Sequence, residues 1–215
     1  MPKPAPVSVD VDTPSPFRSR AEKIREREEK REAVLRAAVR MFNAQGFHAT
    51  SLDDVAASLG ISKPTIYHYL GNKEQVLIEC VTRGLEPLRL AAEAAKHEPG
   101  TGLERLRRFL RHYARINMED FGRCMVRTGD EFLSHEGAVQ FRARKRAIDM
   151  ALRGLIEDGI ADGSIAPADV KLTAFTLAGA LNWPARWHDP AGPASVEDIA
   201  ASMVDILTSG LAPRS

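Results

Sequence analysis

The chain has 215 residues, of which 44% are hydrophobic and 27% charged, and its formal net charge is +1. These totals are typical of a soluble globular protein with a full hydrophobic core. Because the net charge is near zero, any affinity for a polyanion must come from a local basic surface. The cysteines, Cys80 and Cys124, form no CxxC pair, which argues against a disulfide framework or a structural zinc site. We expect a cytoplasmic protein without a membrane span, a cofactor or a metal.

Residues 1–28 are predicted to form a disordered tail with a basic end. Residues 1–17 hold five prolines and show no periodicity. Residues 18–31 hold seven Lys or Arg against four Glu. This basic segment has two interpretations. It is either a solvated helical extension with (i, i+4) pairs such as Glu26 with Lys30, or a basic arm that lies along a nucleic acid or enters its minor groove.

From about residue 29 onward, apolar residues recur at steps of three and four, which indicates helices. Glycine and proline breaks divide the pattern into about nine helices, and no segment alternates like a strand. The sequence therefore predicts an all-α fold, whose first helix covers about 30–45. We expect a small N-terminal domain at 29–89 and a larger helical domain at 90–215.

The second and third predicted helices are short and closely spaced. Ser51, with Asp54 three residues later, resembles a capping box that starts the second helix. Gly60 allows a sharp turn, and Ser62 is a good N-cap for a third helix of about eight residues. A short helix, a glycine turn and another short helix, at about 51–70, are the layout of a helix-turn-helix motif.

The third helix, 62-SKPTIYHYL-70, combines an apolar side with a polar one. Ile66 and Leu70 are four residues apart and should face the core. The other side then carries a lysine, hydroxyls and a histidine, with no carboxylate from this helix. Such groups can bond phosphate oxygens, while ring edges touch thymine methyls. Taken alone, Tyr67 and Tyr69 are better explained as half-buried aromatic residues.

The stretch 37–77 resembles the TetR family of transcriptional regulators. The matching positions are Phe42, Gly46, Phe47, Thr50, Ser51, Val55, Ala56, Gly60, Thr65, Tyr67, Tyr69 and Lys73. The resemblance implies an N-terminal three-helix DNA-binding domain and a two-fold homodimer. It also implies a near-palindromic operator in double-stranded DNA.

The resemblance also implies which residues bind DNA. Lys63, Pro64 and Tyr67 sit where family members touch base edges. Four positions sit where family members hold phosphates: Thr50, Thr65, Tyr69 and Lys73. Ser51, Ser62 and His68 complete the candidate DNA-binding set.

The C-terminal helices are expected to bind a small hydrophobic effector and to form the dimer. The residues predicted to line the effector pocket are Met118, Phe121, Met125 and Phe132, since Met and aromatic side chains adapt to apolar ligands. The resemblance implies a dimer face formed by the last two helices, with Leu172, Phe175, Thr176, Gly179 and Ala180 as candidates. The fourth helix, which joins the two domains, is the expected transmitter.

The segment 181-LNWPARWHDPAGP-193 is similar to a TetR branch that senses acyl-coenzyme A thioesters. In that interpretation Arg186 pairs with a phosphate of the effector, and Trp183 or Trp187 stacks on adenine. His188 and Asp189 depart from the pattern of that branch. The alternative is a Trp–Arg pair that ends a helix and closes the core.

Three functions are therefore weighed. The first is a repressor released from its operator by a hydrophobic effector, with an acyl-coenzyme A thioester as the named candidate. The second is a constitutive or architectural DNA-binding protein without an effector. The third, a helical enzyme, is disfavoured because the six histidines show no metal-binding spacing and no GxSxG motif is present.

Overall fold

The computed structural model describes residues 19–211, and the all-helical prediction is confirmed within that range. The helices are α1 (Arg20–Gln45), α2 (Leu52–Ser58), α3 (Lys63–Leu70), α4 (Lys73–His97), α5 (Gly102–Met118), α6 (Asp120–Arg127), α7 (His135–Ala161), α8 (Val170–Asn182), α9 (Pro184–Trp187) and α10 (Val196–Ser209). A short 3-10 turn, Asp130–Phe132, precedes α7. None of these helices is long and apolar enough to cross a membrane.

The first helix is longer than predicted. It begins at Arg20, and Ser19 caps it through a capping box with Glu22. Ion pairs at four-residue steps then support its first turns. The prediction of a disordered tail up to residue 28 is therefore wrong for the part that α1 contains. The predicted disorder of residues 1–17 lies outside the described residues.

Helices α1, α2 and α3 pack around a small apolar centre. Leu35, Val55 and Ile66 are fully buried there. Gly60 adopts a φ of 63°, a left-handed conformation that glycine reaches without strain, and so turns the chain sharply between α2 and α3. The third helix is thereby held across the other two, with one side free.

Helix α4 connects this unit to the C-terminal helices without a linker. The predicted boundary between residues 89 and 90 lies inside α4. One continuous core runs from Leu35 in α1 to Val204 in α10. Helix α5 lies near its middle, against α4, α6, α7 and α10. A displacement of α4 by the C-terminal helices therefore reaches the N-terminal unit directly.

Candidate nucleic-acid interface and ligand cavity

Helix α3 presents a free polar side. Ile66 and Leu70 are buried beneath the helix, as predicted. Pro64, Tyr67 and His68 are exposed, and Tyr67 has 48% of its surface accessible. An exposed tyrosine and histidine on a rigid, well-anchored helix are suited to enter a groove of duplex DNA.

Lys63 shares this side with a carboxylate that the sequence did not place there. Its Nζ lies 2.7 Å from Oδ2 of Asp53 on α2. This ion pair raises the pKa of Lys63. The ammonium group of Lys63 is therefore already paired in this structure.

The start of α2 uses its hydroxyl groups internally. Thr50 is 1% exposed, and its hydroxyl donates to the carbonyl of Gly46 at 3.0 Å. The predicted phosphate contact is therefore wrong for the Thr50 side chain in this conformation. Ser51 caps α2, and its hydroxyl donates to Oδ2 of Asp54 at 2.6 Å. The hydroxyl groups of these two residues therefore stabilise the N-terminal end of α2 and the loop before it.

Lys73 fastens the start of α4 to the loop between α1 and α2. Its Nζ lies 4.3 Å from the centre of the Phe47 ring and donates to the carbonyl of His48 at 3.4 Å. Burial lowers the pKa of Lys73. The hydroxyl of Thr65 lies 2.8 Å from that of Ser62 at the start of α3. Thr65 and Lys73 are half-buried, at the edges of the exposed side of α3.

A cavity of about 420 Å³ lies among α4, α5, α6, α7 and α8. Its wall is mainly apolar, with Met125, Phe141, Ile148, Leu152 and Phe175 among its members. Volumes of about 300–1,000 Å³ with a few polar groups are usual for small-molecule sites. The cavity is therefore large enough for a small apolar ligand.

Three polar side chains gather at one part of this cavity. Asn182 and Tyr113 belong to the wall, and the Tyr113 hydroxyl donates to Oδ1 of Asn182 at 2.9 Å. Nδ2 of Asn117 donates to the same oxygen at 2.9 Å. Burial raises the pKa of Tyr113. Oδ1 of Asn117 is buried and has no hydrogen-bond partner within residues 19–211. This cluster of neutral polar groups can orient a carbonyl or hydroxyl group of a ligand.

Charged side chains from α7 complete the wall. Oδ2 of Asp149 lies 2.7 Å from Nη2 of Arg153, so this carboxylate is already neutralised. Nζ of Lys145 lies 5.2 Å from the centre of the Phe141 ring. Lys145 forms no ion pair with the described part of the chain, which leaves its charge available to an anionic group.

Of the predicted apolar pocket residues, Met125 alone lies on the cavity wall. Met118 is 3% exposed and belongs to the core. The guanidinium carbon of Arg83 lies 5.2 Å from the centre of the Phe121 ring. Phe132 packs edge-on against the His48 ring at a centroid distance of 4.3 Å. The prediction is therefore wrong for Met118, Phe121 and Phe132, because each faces a neighbouring helix or loop and not the cavity.

The predicted tryptophan–arginine effector site lies outside this cavity. Trp183 and Trp187 are 61% and 50% exposed, Arg186 is exposed, and none of them lies on the cavity wall. His188 is a buried polar residue of this segment, and Nη2 of Arg123 lies 2.9 Å from its Nδ1. Burial, with the nearby Arg123 charge, lowers the pKa of His188.

Sequence reasoning missed the polar cluster of the cavity. A signal existed, because Tyr113 and Asn117 are four residues apart on the inward side of an otherwise apolar helix stripe. Asn182 comes from α8, and no local pattern relates α8 to α5.

Comparison with known proteins gives the family. A family model described as "Bacterial regulatory proteins, tetR family" matches residues 34–80, and one described as "Tetracyclin repressor-like, C-terminal domain" matches residues 99–211. The uncharacterized HTH-type transcriptional regulator YhgD of Bacillus subtilis is 30% identical over 152 residues, which cover 69% of this chain and 78% of YhgD. The HTH-type transcriptional repressor KstR2 of Mycolicibacterium smegmatis is 27% identical over 190 residues, covering 85% of this chain and 90% of KstR2.

Two solved structures agree with these matches. The TetR family transcriptional regulator PfmR from Thermus thermophilus has a TM-score of 0.74 and 33% identity, covering 84% of this chain and 99% of its own. AibR in complex with isovaleryl coenzyme A and operator DNA has a TM-score of 0.71 and 26% identity, covering 82% of this chain and 96% of its own. The chain therefore belongs to the TetR family and is a DNA-binding transcriptional regulator, not an enzyme.

Proposed function

We propose that this protein is a homodimeric repressor that binds a near-palindromic operator and leaves it when an acyl-coenzyme A thioester occupies the cavity. The observation that carries the proposal is the cavity of about 420 Å³, whose wall includes residues of α4 itself. A ligand that prefers one position of α4 changes the spacing of the two α3 helices, and with it the fit to DNA.

DNA reading is assigned to the exposed side of α3. Lys63 and Tyr67 lie next to each other on the helix surface, four residues apart, and His68 follows. The lysine and the tyrosine hydroxyl suit base edges and phosphates, and Pro64 offers an apolar contact to a thymine methyl.

Dimerisation is assigned to an apolar stripe on α8, extended by α10. Leu172 and Phe175 of α8 are 65% and 53% exposed, Trp183 directly after α8 is 61% exposed, and Ile206 of α10 is 73% exposed. Their spacing puts the α8 residues on one side of the helix, with Gly179 between them to permit close approach. Such a patch is unusual on a free surface, and pairing with a second copy would bury it.

The effector assignment rests on the chemistry of the cavity wall. The apolar residues suit an acyl chain, and the Tyr113–Asn182 pair can orient a thioester carbonyl. Lys145 can attract the phosphates of coenzyme A, the part assigned to Arg186 from sequence. The complex of the structural relative AibR with isovaleryl coenzyme A supports this ligand class.

Communication with the DNA side is assigned to the connection between α6 and α7 in addition to α4. Thr128 and Asp130 of this connection belong to the cavity wall. Phe132 and Ser134 of the same connection contact the N-terminal unit: Phe132 packs on His48, and the Ser134 amide donates to Glu74 at 2.6 Å. A ligand that displaces the wall therefore pulls on the loop before α2 and on the start of α4.

Thermal unfolding with isovaleryl coenzyme A, with free coenzyme A and without a ligand tests the effector. At a concentration of 100 times Kd, the thioester should stabilise the folded protein by about 2.7 kcal/mol, and free coenzyme A should have a smaller effect. Lys145→Gln should weaken the response, whereas Arg186→Gln is the control and should respond like the parent. A thioester that leaves the melting temperature unchanged while operator binding stays intact would favour the constitutive alternative.

The reading side is tested with a duplex selected by the protein from a random-sequence pool. Tyr67→Ala and Lys63→Ala should each reduce affinity for the selected duplex, since base contacts are worth about 1–3 kcal/mol. The exposed Tyr67 contributes little to the core, so the melting temperature should change little. Unchanged affinity in both variants would contradict the assignment.

A further inference from the structure

We infer that the N-terminal turns of α1 form a second DNA contact, in which Arg20, Lys23 and Arg27 bind phosphates beside the groove that α3 enters. This inference rests on the proposed function, because it requires α3 to lie in the major groove. It also decides between the two sequence interpretations of the basic segment, in favour of a helical arm that contacts the duplex backbone.

The turns in question lie alongside α3. Ile24 and Arg27 of α1 line a shallow groove of about 270 Å³ together with His68 and Tyr69 of α3. His68 belongs to the exposed side of α3. A duplex that contacts His68 therefore comes close to this part of α1.

Helical spacing directs the relevant cations toward α3. Arg20, Ile24, Arg27 and Arg31 follow one another at steps of three or four, so they share one side of α1. Further along, the same side carries Leu35, which is fully buried against the small N-terminal core. The N-terminal turns continue this side beyond the core, and Ile24 is 50% exposed there. This side of α1 is buried around Leu35, but in the N-terminal turns it is exposed to solvent beside α3.

Several cations of α1 already have partners within the protein. Nε of Arg25 lies 3.4 Å from Oε1 of Glu29, and Nζ of Lys30 lies 2.7 Å from Oε1 of Glu26. Arg31 donates through both terminal nitrogens to a glutamate of α4. These three positive charges are therefore paired with carboxylates of the protein itself.

The remaining cations of the segment are not neutralised in this way. Arg20, Lys23 and Arg27 are exposed, and none forms an ion pair with any residue from 19 to 211. Glu28 also lines the groove and contributes a carboxylate there. Against these three cations stand two carboxylates that also lack an ion pair in this part of the chain, Glu22 and Glu28, so the N-terminal turns of α1 keep a net positive charge next to α3, which suits phosphate oxygens.

The dimensions of DNA explain why such a surface would be used. The major groove is about 12 Å wide, and a helix with its side chains is about 10–12 Å across. A helix in the groove therefore has a phosphate backbone close to each flank. One flank of α3 faces α2, as the Lys63–Asp53 pair shows. The other flank, with Tyr69, faces α1, so the cations of α1 serve the second backbone.

The test compares two variants that lose the same charge. Arg20→Gln/Arg27→Gln removes two of the proposed contacts, and Arg25→Gln/Arg89→Gln removes two arginines that are paired elsewhere. Affinity for the pool-selected duplex is measured against salt concentration. The slope of log K against log salt is negative, and each lost phosphate contact makes it less steep by about 0.9. Two lost contacts in each subunit of a dimer make it less steep by up to about 3.6. The control pair should keep the parent slope.

Circular dichroism confirms that α1 stays helical. An unchanged slope, or an equal loss in the control pair, would overturn the inference. A failed proposed function gives a different result: no duplex is selected, or Tyr67→Ala binds as the parent does.

Discussion

Replacement of Phe132 by alanine should separate ligand binding from operator release. The Phe132 ring lies 4.3 Å from the His48 ring and 5.5 Å from the Phe47 ring, centre to centre. Aromatic contacts of this kind are worth about 0.5–1.5 kcal/mol each beyond burial, so their removal costs about 1–3 kcal/mol. About 1.4 kcal/mol corresponds to a factor of ten. The factor by which the effector lowers operator affinity should therefore be roughly 5–150 times smaller in the variant than in the parent.

Fluorescence anisotropy of a labelled operator duplex, titrated with and without isovaleryl coenzyme A, measures this coupling. Phe132→Ala should bind operator nearly as tightly as the parent without the thioester and should release much less of it when the thioester is added. Ile160→Ala, a half-buried change on α7 remote from the DNA side, controls for a general loss of stability. Full release by the Phe132→Ala variant would refute the connection between α6 and α7 as a transmitter.

Four further predictions address the reading side, the helix packing and the pH response. Asp53→Asn frees the lysine on α3 and should tighten operator binding by about two- to fivefold in anisotropy titrations; weaker binding would contradict it. Gly154→Ala meets no atom within 4 Å and should raise stability by about 1 kcal/mol in thermal melts. Gly102→Ala would put its Cβ 2.2 Å from a backbone nitrogen of α7 and should destabilise by about 1–3 kcal/mol. Burial lowers the pKa of His188 from its ordinary value of 6.5, so the unfolded chain binds more protons than the folded chain near this pH. The stability of the protein should therefore fall as the pH drops below 6.5. Thermal melts at several pH values should show a weaker pH dependence for His188→Gln.

Helix α3 was predictable because its determinants are local. Ser62 caps it, Pro64 occupies its first turn, and Ile66 with Leu70 decides which side is buried. These signals lie within a few residues of one another. The Asp53 carboxylate beside Lys63 was missed because it depends on how α2 crosses α3. Thr50 was misassigned because a hydroxyl that bonds a nearby carbonyl looks, in sequence, like one that is free.

The cavity was poorly predicted because five helices contribute to it. Phe121 and Phe132 have the residue type expected of a pocket, yet each packs against a neighbour that is distant in sequence. Trp183 and Trp187 suggested a stacking site, but α9 leaves both on the surface. Composition indicates that a residue can line a pocket. Only the packing of the helices decides whether it does.

Control of operator binding by a ligand in the cavity is tested with a single titration. Isovaleryl coenzyme A is added to a preformed complex of the protein with its pool-selected duplex, and anisotropy follows the free DNA. We expect the thioester to release the duplex saturably and free coenzyme A to be much less effective. A thioester that binds the protein, as seen in thermal melts, and releases no DNA would contradict it.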